Sequence, residues 1–328
     1  MQTTIVHYQK CDFPELFWLK RLLRGRAFEQ VQDLSQTKVF PDSIVICKKL
    51  GQLRPELLQS IFVTPGVVLF HISDEWYLDR LEPYRCFAHV IRSYYHPVLN
   101  RQGVTQIPLG PSRFLNADQE IKPAADRRFI WSFAGNLSST RRTLVQTLTG
   151  VVPNHVHITG SRGQSNTWLG PEEYLKLLGD SVFVPCPMGN VNLDSFRLYE
   201  ALDCGAIPIV ERRPWLDYFT DLFGPHPLPS VNNWTQARSL VNSLVSDPVR
   251  LKDKQVEIQN WWRHTEAQFS NQIESALSSA TGRNDRINFA SGVPARLRGF
   301  CEMLKHHNGP ALLARSQLTL RRLFMHQS

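Results

Sequence analysis

Short apolar runs alternate with helical patterns along most of this chain of 328 residues. Four runs of strand length come first, joined by helical or loop patterns, and they span 43–49, 67–73, 88–94 and 104–110. This alternation is typical of α/β proteins with a mainly parallel sheet. We therefore expect a core built from βαβ units.

A second α/β series follows residues 111–128, a stretch with little periodicity and two prolines. Its predicted strands and helices are 129–135, 140–148, 155–159, 171–178, 182–186, 195–204 and 207–210. A long helix is predicted over 247–280. The aperiodic stretch places a domain boundary near residue 124, which gives α/β domains 1–124 and 125–282.

A helical tail, residues 283–328, completes the chain and is strongly basic. It contains eight Lys and Arg against two Asp and Glu, and so carries six of the net charge of +8. We expect it to pack on the first domain with arginines facing solvent or anionic lipid. A solvated helical face that touches no partner is the alternative.

Several protein classes are disfavoured by composition. The six cysteines lie far apart without a C-x-x-C pair, which disfavours a zinc site or a disulfide framework and favours a reducing compartment. No window reaches the roughly 18 apolar residues of a membrane span. The pI is about 9.3, but no nucleic-acid-binding motif is present. A cytoplasmic protein, at most peripheral to the inner face of the membrane, is expected.

The first loop that could bind a ligand is FAGNLSSTRRTL, residues 133–144. Ligands of open parallel sheets bind at the carboxyl ends of the strands, and this loop follows a predicted strand. Gly135 allows a tight turn, Asn136 supplies polar atoms, and Arg141 and Arg142 begin the next helix. This combination suits a phosphate. The alternative is a capped helix start with two surface arginines.

The second loop and helix are PMGNVNLDSFRLYEALDCGAIPIVE, residues 187–211. Asp194 or Ser195 is predicted to cap a helix that Gly205 ends. Within this helix Arg197 and Glu200 stand three residues apart and share a face. They could form a local surface ion pair. They could instead bind different parts of one nucleotide, with Arg197 facing phosphate and Glu200 accepting hydrogen bonds from ribose.

These two segments resemble the exostosin-like glycosyltransferases, whose C-terminal half contains a strand, P-x-G, D-S-x-R-x-x-E-A and then G-x-I-P-V. The matching residues are Asp194, Ser195, Arg197, Glu200, Ala201, Gly205, Ile207 and Pro208. Ile209 stands where the pattern has Val. The resemblance is specific over about 129–210 and weaker in the N-terminal half, where an HxSDE stretch is similar to the ribitol xylosyltransferase branch.

The resemblance implies a GT-B fold, in which two Rossmann-like domains face each other across a cleft. It implies an inverting hexosyl- or pentosyltransferase that transfers the sugar of a nucleotide-sugar donor, expected to be a UDP-sugar, to a hydroxyl of a glycan or polyol. The expected role is in surface or capsular polysaccharide synthesis. The C-terminal domain would hold the donor through Gly135, Asn136, Arg141, Arg142, Ser195, Arg197 and Glu200. Arg141, Arg142 and Arg197 would contact phosphates, and Glu200 the ribose.

No metal or other cofactor is expected, since the nucleotide sugar is itself a substrate. The departing diphosphate gains negative charge, so a fixed cation or a metal must stabilise it. The sequence contains no D-x-D pair, which many metal-dependent transferases use. The arginines and the helix N-terminus at Ser195 could supply the positive charge instead.

Inversion needs a base near the acceptor hydroxyl, and FHISDEWY, residues 70–77, offers three candidates. We prefer Asp74 narrowly over Glu75, and His71 comes third. The alternative is that Asp74 caps the following helix and Glu75 is a first-turn charge.

HVIRSYYHP, residues 89–97, places Arg92 and Tyr94 after another strand, where they could bind the acceptor. Packing around a satisfied guanidinium is the alternative for Arg92. For the whole chain, the competing hypothesis is a catalytically silent module that binds a nucleotide sugar or a glycan without turnover.

Overall fold

The computed structural model describes residues 4–8, 14–24, 26, 28–31, 39–112, 120–137, 140–160, 167–288 and 305. The chain divides into two compact units: unit 1 comprises Met1–Leu109 and Glu266–Ser328, and unit 2 comprises Gly110–Thr265. The first division thus falls at Leu109, whereas the sequence pattern places it near residue 124. The chain returns to unit 1 at Glu266, inside the long helix rather than after it.

Unit 1 contains a six-stranded sheet whose strand pairings are all parallel. The strands are β1 (Thr4–Tyr8), β2 (Phe28–Val31), β3 (Ile44–Cys47), β4 (Val68–His71), β5 (His89–Ser93) and β6 (Val104–Ile107). Their order across the sheet is β2-β1-β3-β4-β5-β6. Two helices, α1 (Glu15–Leu22) and α2 (Pro55–Val63), connect strands of this unit.

The central strands of unit 1 form where the sequence is continuously apolar. All residues of β3 and β4 are buried, as expected for strands covered on both faces. Helix α2 begins with Pro55, which is favourable at the first helical position, and buries Leu57 and Ile61. Strands β1 and β2 were not predicted, because TIVHY and FEQV are short and mix polar with apolar residues.

Unit 2 contains a five-stranded parallel sheet with the order β11-β10-β9-β7-β8. Its strands are β7 (Phe129–Gly135), β8 (Asn154–Ile158), β9 (Ser181–Cys186), β10 (Ile207–Glu211) and β11 (Ser230–Val231). Its helices are α3 (Arg141–Leu148), α4 (Pro171–Gly179), α5 (Phe196–Asp203), α6 (Tyr218–Phe223) and α7 (Ala237–Val245). Helix α8 (Pro248–Ala280) starts in unit 2 and ends in unit 1.

The predicted elements of unit 2 agree with the structure to within one residue at each end. Gly205 ends α5 as predicted, with a left-handed φ of 65°. A Cβ at this position would lie 2.2 Å from Cγ2 of Ile121, so space as well as backbone conformation requires glycine. The parallel α/β architecture is confirmed in both units.

The basic tail lies largely outside the described residues, which beyond 288 include only Lys305. Its first residues bond to the end of α2 and to the segment that follows it: Arg286 Nη2 donates to the carbonyl oxygens of Phe62 (2.7 Å) and Thr64 (2.9 Å). The amide of Gly66 donates to the carbonyl of Arg283 at 3.0 Å. In the described part of the chain, no helix has the length and apolarity needed to cross a bilayer.

A buried arginine connects four backbone segments of unit 2. Arg127 donates from Nε to the carbonyl of Lys122 (3.0 Å) and from Nη1 to those of Leu178 (3.4 Å) and Ser181 (2.9 Å). Its Nη2 donates to the carbonyl of Cys204 at 2.9 Å, at the end of α5. Burial lowers the pKa of Arg127 to about 10, which still leaves it charged at neutral pH. The guanidinium therefore fixes α5 against the start of β9.

We expect Arg127→Met to reduce the free energy of unfolding by about 3 kcal/mol, because buried carbonyl groups lose their donors. Urea unfolding of the full chain measures the change. Arg128→Met is the matched control, since Arg128 is exposed and lies 5.0 Å above the ring of Phe129. Its cost should stay below about 1 kcal/mol. Equal costs for the two variants would contradict a specific role for Arg127.

His96 is a buried histidine that unit 1 keeps neutral. Its Nδ1 accepts a hydrogen bond from the amide of Val98 at 3.3 Å, and its ring meets Tyr77 edge to face at 5.0 Å. Burial first, and then the charge of Arg92, lower the pKa of His96 to about 3. Folding therefore favours the neutral imidazole.

Because the folded pKa of His96 is depressed, its contribution to stability is present above the unfolded pKa of 6.5 and is lost as the pH falls from 6.5 towards 3. At pH 5.5 the loss should reach about 1.4 kcal/mol. His96→Asn, which keeps an acceptor for Val98, should show a correspondingly smaller decrease between pH 7.5 and 5.5 in urea unfolding. The exposed His264→Asn is the control and should behave as wild type. An unchanged pH dependence in His96→Asn would contradict the assignment.

Candidate functional site

Arg197 reaches from the first turn of α5 to the carboxyl end of β7. Its Nη2 donates to the carbonyl oxygen of Ala134 at 2.6 Å, and its guanidinium lies 4.9 Å above the ring of Phe133. Its Nε is buried and has no hydrogen-bond partner among the described residues. A neutral carbonyl group and an aromatic ring therefore orient the guanidinium group of Arg197.

Gly135 leaves space that the guanidinium group of Arg197 uses. A Cβ at position 135 would lie 3.0 Å from Nη2 of Arg197 and 3.3 Å from Cζ of Phe133. The sequence analysis assigned Gly135 to a tight turn. The structure adds a second reason, which is the close approach of a side chain from α5.

Arg141 connects the loop after β7 with the loop after β9. Its Nη1 donates to Oδ1 of Asn136 at 2.8 Å, and its Nη2 donates to the carbonyl of Met188 at 3.1 Å. Arg142 is exposed. The structure thus brings Asn136 and Arg141 together and leaves Arg142 on the surface of α3.

Glu200 is buried on α5, one turn after Arg197, with only 4% of its surface exposed. Its Oε1 accepts a hydrogen bond from the hydroxyl of Ser112. Burial and the charge of Glu200 raise the pKa of Tyr174, whose hydroxyl also bonds to Glu200. No ion pair between Arg197 and Glu200 occurs among the described residues, so the local surface ion pair considered for them does not form.

The residues before α5 differ in role from the predicted caps. Ser195 occupies the N-cap position in an extended conformation, but its side chain makes no capping hydrogen bond. Asp194 is buried and accepts hydrogen bonds from the hydroxyls of Tyr199 (2.6 Å) and Tyr218 (3.1 Å). The Asp of the D-S-x-R pattern therefore ties the start of α5 to α6.

A buried acidic residue that the sequence analysis left without a role ends β10. Glu211 is 1% exposed, and its Oε1 accepts hydrogen bonds from the Thr140 hydroxyl (2.5 Å) and the indole nitrogen of Trp234. Nη2 of Arg213 lies 2.7 Å from its Oε2 and 3.5 Å from Sδ of Met188. In the sequence, the only indication of a role for Glu211 is that a charged residue directly follows the apolar run IPIV.

In unit 1, Asp74 and Arg92 form a buried ion pair. Nη2 of Arg92 lies 3.2 Å from Oδ2 of Asp74, while Oδ1 accepts hydrogen bonds from the amides of Leu78 (3.0 Å) and Asp79 (3.4 Å). Burial raises the pKa of Asp74, although Arg92 opposes the shift. The side chain of Arg92 is fully buried, which corresponds to the packing alternative for this residue.

His71 uses both ring nitrogens inside the same network. Its Nδ1 lies 2.6 Å from the hydroxyl of Tyr84, and its Nε2 lies 3.1 Å from Oδ2 of Asp79. The hydroxyl of Tyr84 also accepts a hydrogen bond from Nη1 of Arg92 at 3.2 Å. Burial alone would raise the pKa of Asp79, but the hydrogen bond and charge of His71 lower it below its ordinary value.

Three residues that are not glycine take left-handed conformations around this network: Ser73 (φ 66°), Tyr77 (φ 53°) and Tyr94 (φ 62°). Such conformations cost of order 1 kcal/mol or more, and they cluster at functional sites. Tyr94 is buried, and Glu75, between Ser73 and Tyr77, is half-buried. The hydroxyl of Ser73 donates to Oε1 of Glu15, a contact that the sequence did not predict.

Part of the chain matches the model of a protein family, and most of it is similar to a mouse protein. Residues 113–216 match the family model described as the RXYLT1 C-terminal domain. Ribitol-5-phosphate xylosyltransferase 1 of Mus musculus is 21% identical over 290 residues, which cover 81% of this chain and 63% of that protein. The chain therefore spans somewhat under two thirds of the length of this relative.

Among solved structures, an α1,3-fucosyltransferase covers 87% of this chain with a TM-score of 0.51 and 13% identity, and 93% of its own chain is matched. The likeness concerns the fold, and the predicted GT-B class is confirmed. The match over 113–216 includes the loops and helix that carried the resemblance. The chain is thus similar to ribitol-5-phosphate xylosyltransferase 1 over most of its length, and its segment 113–216 matches the model of the C-terminal domain of that family.

Proposed function

We propose that this chain is an inverting, metal-independent glycosyltransferase that moves a sugar from a nucleotide-sugar donor to a hydroxyl of a glycan or polyol. The observation that carries the proposal is at the carboxyl edge of the unit 2 sheet. There Arg197 is fixed on the end of β7, one helical turn from the buried carboxylate of Glu200. A cation and an acceptor of hydrogen bonds at this spacing fit a phosphate and a ribose.

Arg141 and Arg197 are suited to stabilise the departing diphosphate. The carbonyl oxygens of Met188 and Ala134 orient the two guanidinium groups, and both side chains are only partly buried. A neutral acceptor orients a guanidinium group, whose positive charge can then stabilise an anion that forms in the transition state.

Glu200 is the proposed ribose ligand. Its carboxylate has about four acceptor sites, and the hydroxyls of Ser112 and Tyr174 use two of them. The remaining sites could accept hydrogen bonds from the ribose hydroxyls. Ser112 and Tyr174 would then hold the carboxylate in the orientation that the nucleoside requires.

Chemistry without a metal is consistent with the side chains at hand. Within the described ranges, no group of three or more His, Cys, Asp or Glu side chains is arranged to hold a metal ion. Since the two arginines can offset the charge on the leaving group, we propose that no divalent ion takes part.

For the general base we propose Glu75, in the loop after β4. Asp74 is committed to Arg92 and two backbone amides, and both nitrogens of His71 are bonded inside the network. Glu75 follows Asp74 directly and is half-buried rather than enclosed. The network would position this loop, and Glu75 would take the proton from the acceptor hydroxyl.

The name of the mouse relative indicates the first substrates to test: a xylosyl donor, expected to be UDP-xylose, and ribitol-5-phosphate as acceptor. We also propose a role in surface or capsular polysaccharide synthesis on the cytoplasmic side of a membrane. Contact of the basic tail with anionic lipid belongs to the same proposal and rests on its charge.

We expect Arg197→Gln to weaken UDP binding about 10- to 100-fold and uridine binding less than threefold, because only UDP carries the diphosphate. Glu200→Gln should weaken the binding of both ligands, since both contain the ribose. Isothermal titration calorimetry measures the two affinities. Arg250→Gln, at an exposed position of α8, is the control. Equal losses for UDP and uridine in Arg197→Gln would contradict a phosphate contact.

We expect Glu75→Gln to lower kcat for UDP release from UDP-xylose by about 10²- to 10⁴-fold, because the amide cannot accept the proton. The assay contains ribitol-5-phosphate and EDTA, and the Kd for UDP should not change. Asp74→Asn should instead reduce the free energy of unfolding by about 3 kcal/mol, since it leaves Arg92 without its buried partner. Wild-type binding of UDP without turnover of any sugar donor would favour the silent module.

A further inference from the structure

The carboxylate of Glu211 joins three loops at the carboxyl edge of the unit 2 sheet. Through Thr140 it contacts the residue that precedes α3, and through Trp234 it contacts the segment between β11 and α7. Through Arg213 it contacts the loop that follows β10. All four side chains belong to unit 2.

An ion pair this deeply buried need not add to the stability of the fold. The side chain of Glu211 is 1% exposed and that of Arg213 is fully buried, so both charges have lost their hydration. A protein in which apolar residues of similar volume replace such a pair is often as stable as the original or more stable. What the pair supplies is a fixed geometry, because each charge accepts few other arrangements once it is buried.

Thr140 shows where this geometry acts. It occupies the N-cap position of α3, where a threonine side chain usually accepts a hydrogen bond from a helix amide. Here the side chain makes no capping bond, and the hydroxyl donates to Glu211 instead, at 2.5 Å. The next residue is Arg141. The contact with Glu211 therefore fixes the backbone from which Arg141 extends.

Met188 provides a second link to the same arginine. Its carbonyl oxygen accepts from Nη2 of Arg141 at 3.1 Å, while its sulfur lies 3.5 Å from Nη2 of Arg213. The position of Arg213 is set by Glu211. Glu211 thus acts on Arg141 from two directions, through Thr140 at the start of α3 and through Arg213 and Met188 in the loop after β9.

We propose that Glu211 is a positioning residue for the donor diphosphate, which it serves by fixing the orientation of Arg141 through Thr140, Arg213 and Met188. The inference rests on the proposed function, since it assumes that Arg141 faces the diphosphate. Glu211 itself touches no substrate in this scheme. Glu211 should therefore affect the binding of the charged diphosphate part of the donor and leave the binding of the nucleoside unchanged.

The test compares the affinities of the full chain for UDP and for uridine by isothermal titration calorimetry. Thr140→Val removes the hydroxyl at nearly constant volume. We expect it to weaken UDP binding about five- to tenfold and to change uridine binding less than twofold, so that the ratio of the Kd for UDP to the Kd for uridine rises. Thr140→Ser, which keeps the hydroxyl, should restore the wild-type ratio.

Thr149→Val is the matched control at the other end of α3, where the hydroxyl bonds only to the carbonyl of Val145 at 2.6 Å in its own helix. It should keep the wild-type ratio. A merely structural role for Thr140 would lower the melting temperature but leave the ratio as in wild type, and that result overturns the inference.

Glu211→Gln provides a second, independent variant. The amide keeps an oxygen for Thr140 and Trp234 but removes the charge that faces Arg213, and we expect the same rise in the ratio of the Kd for UDP to the Kd for uridine. If Thr140→Val does not give a folded chain, Glu211→Gln alone tests the inference. An unchanged ratio of the two dissociation constants in Glu211→Gln then overturns it. A folded wild-type chain that binds neither UDP nor GDP overturns the proposed function and this inference together, whereas wild-type UDP binding with an unchanged variant ratio overturns the inference alone.

Discussion

The parallel pairing of every strand in the unit 2 sheet is the constraint on which the candidate donor site depends. Because parallel strands all end at one edge, the residues after β7, β9 and β10 meet there although they are far apart in sequence. Strand order decides which of them touch. Since β9 lies between β7 and β10, Met188 in the loop after β9 can contact Arg141 on one side and Arg213 on the other.

The same edge explains why two small residues, Ala134 and Gly135, lie beside Arg197. The carbonyl of Ala134 is available to Arg197 because it lies at the last residues of β7, and Gly135 leaves room for the guanidinium. Helix α5 begins close by, tied to α6 by the two tyrosine hydroxyls that Asp194 accepts. The position of Arg197 therefore follows from the end of one strand and the start of one helix.

Sequence reasoning located most of this edge because its signals are local. An apolar run that ends in glycine and is followed by polar residues predicts a strand and its loop, and spacing predicts that Arg197 and Glu200 share a face of α5. Roles that depend on strand order could not be predicted in the same way. Glu211 stands visibly after β10, but nothing in the sequence shows that Thr140 and Trp234 converge on it.

Unit 1 illustrates the same limit with a different outcome. Its strands β4 and β5 were predicted from their apolar runs, and so were the polar residues at their ends. That Arg92 would turn inward to Asp74 depends on the pairing of β4 with β5, which places His71 opposite Arg92. The edge strands β1 and β2 lack a clear pattern, so the extent of the sheet was underestimated.

The partners of each arginine separate those that could meet a ligand from those that hold the protein together. Arg92 and Arg213 are enclosed and face carboxylates, so their charge is largely cancelled where it stands. Arg127 is held by carbonyl oxygens but is buried on all sides, which makes it a structural clamp. Arg197 combines a carbonyl partner with partial exposure. Since an anion needs both uncancelled charge and access, this combination identifies a ligand-facing arginine better than charge or burial alone.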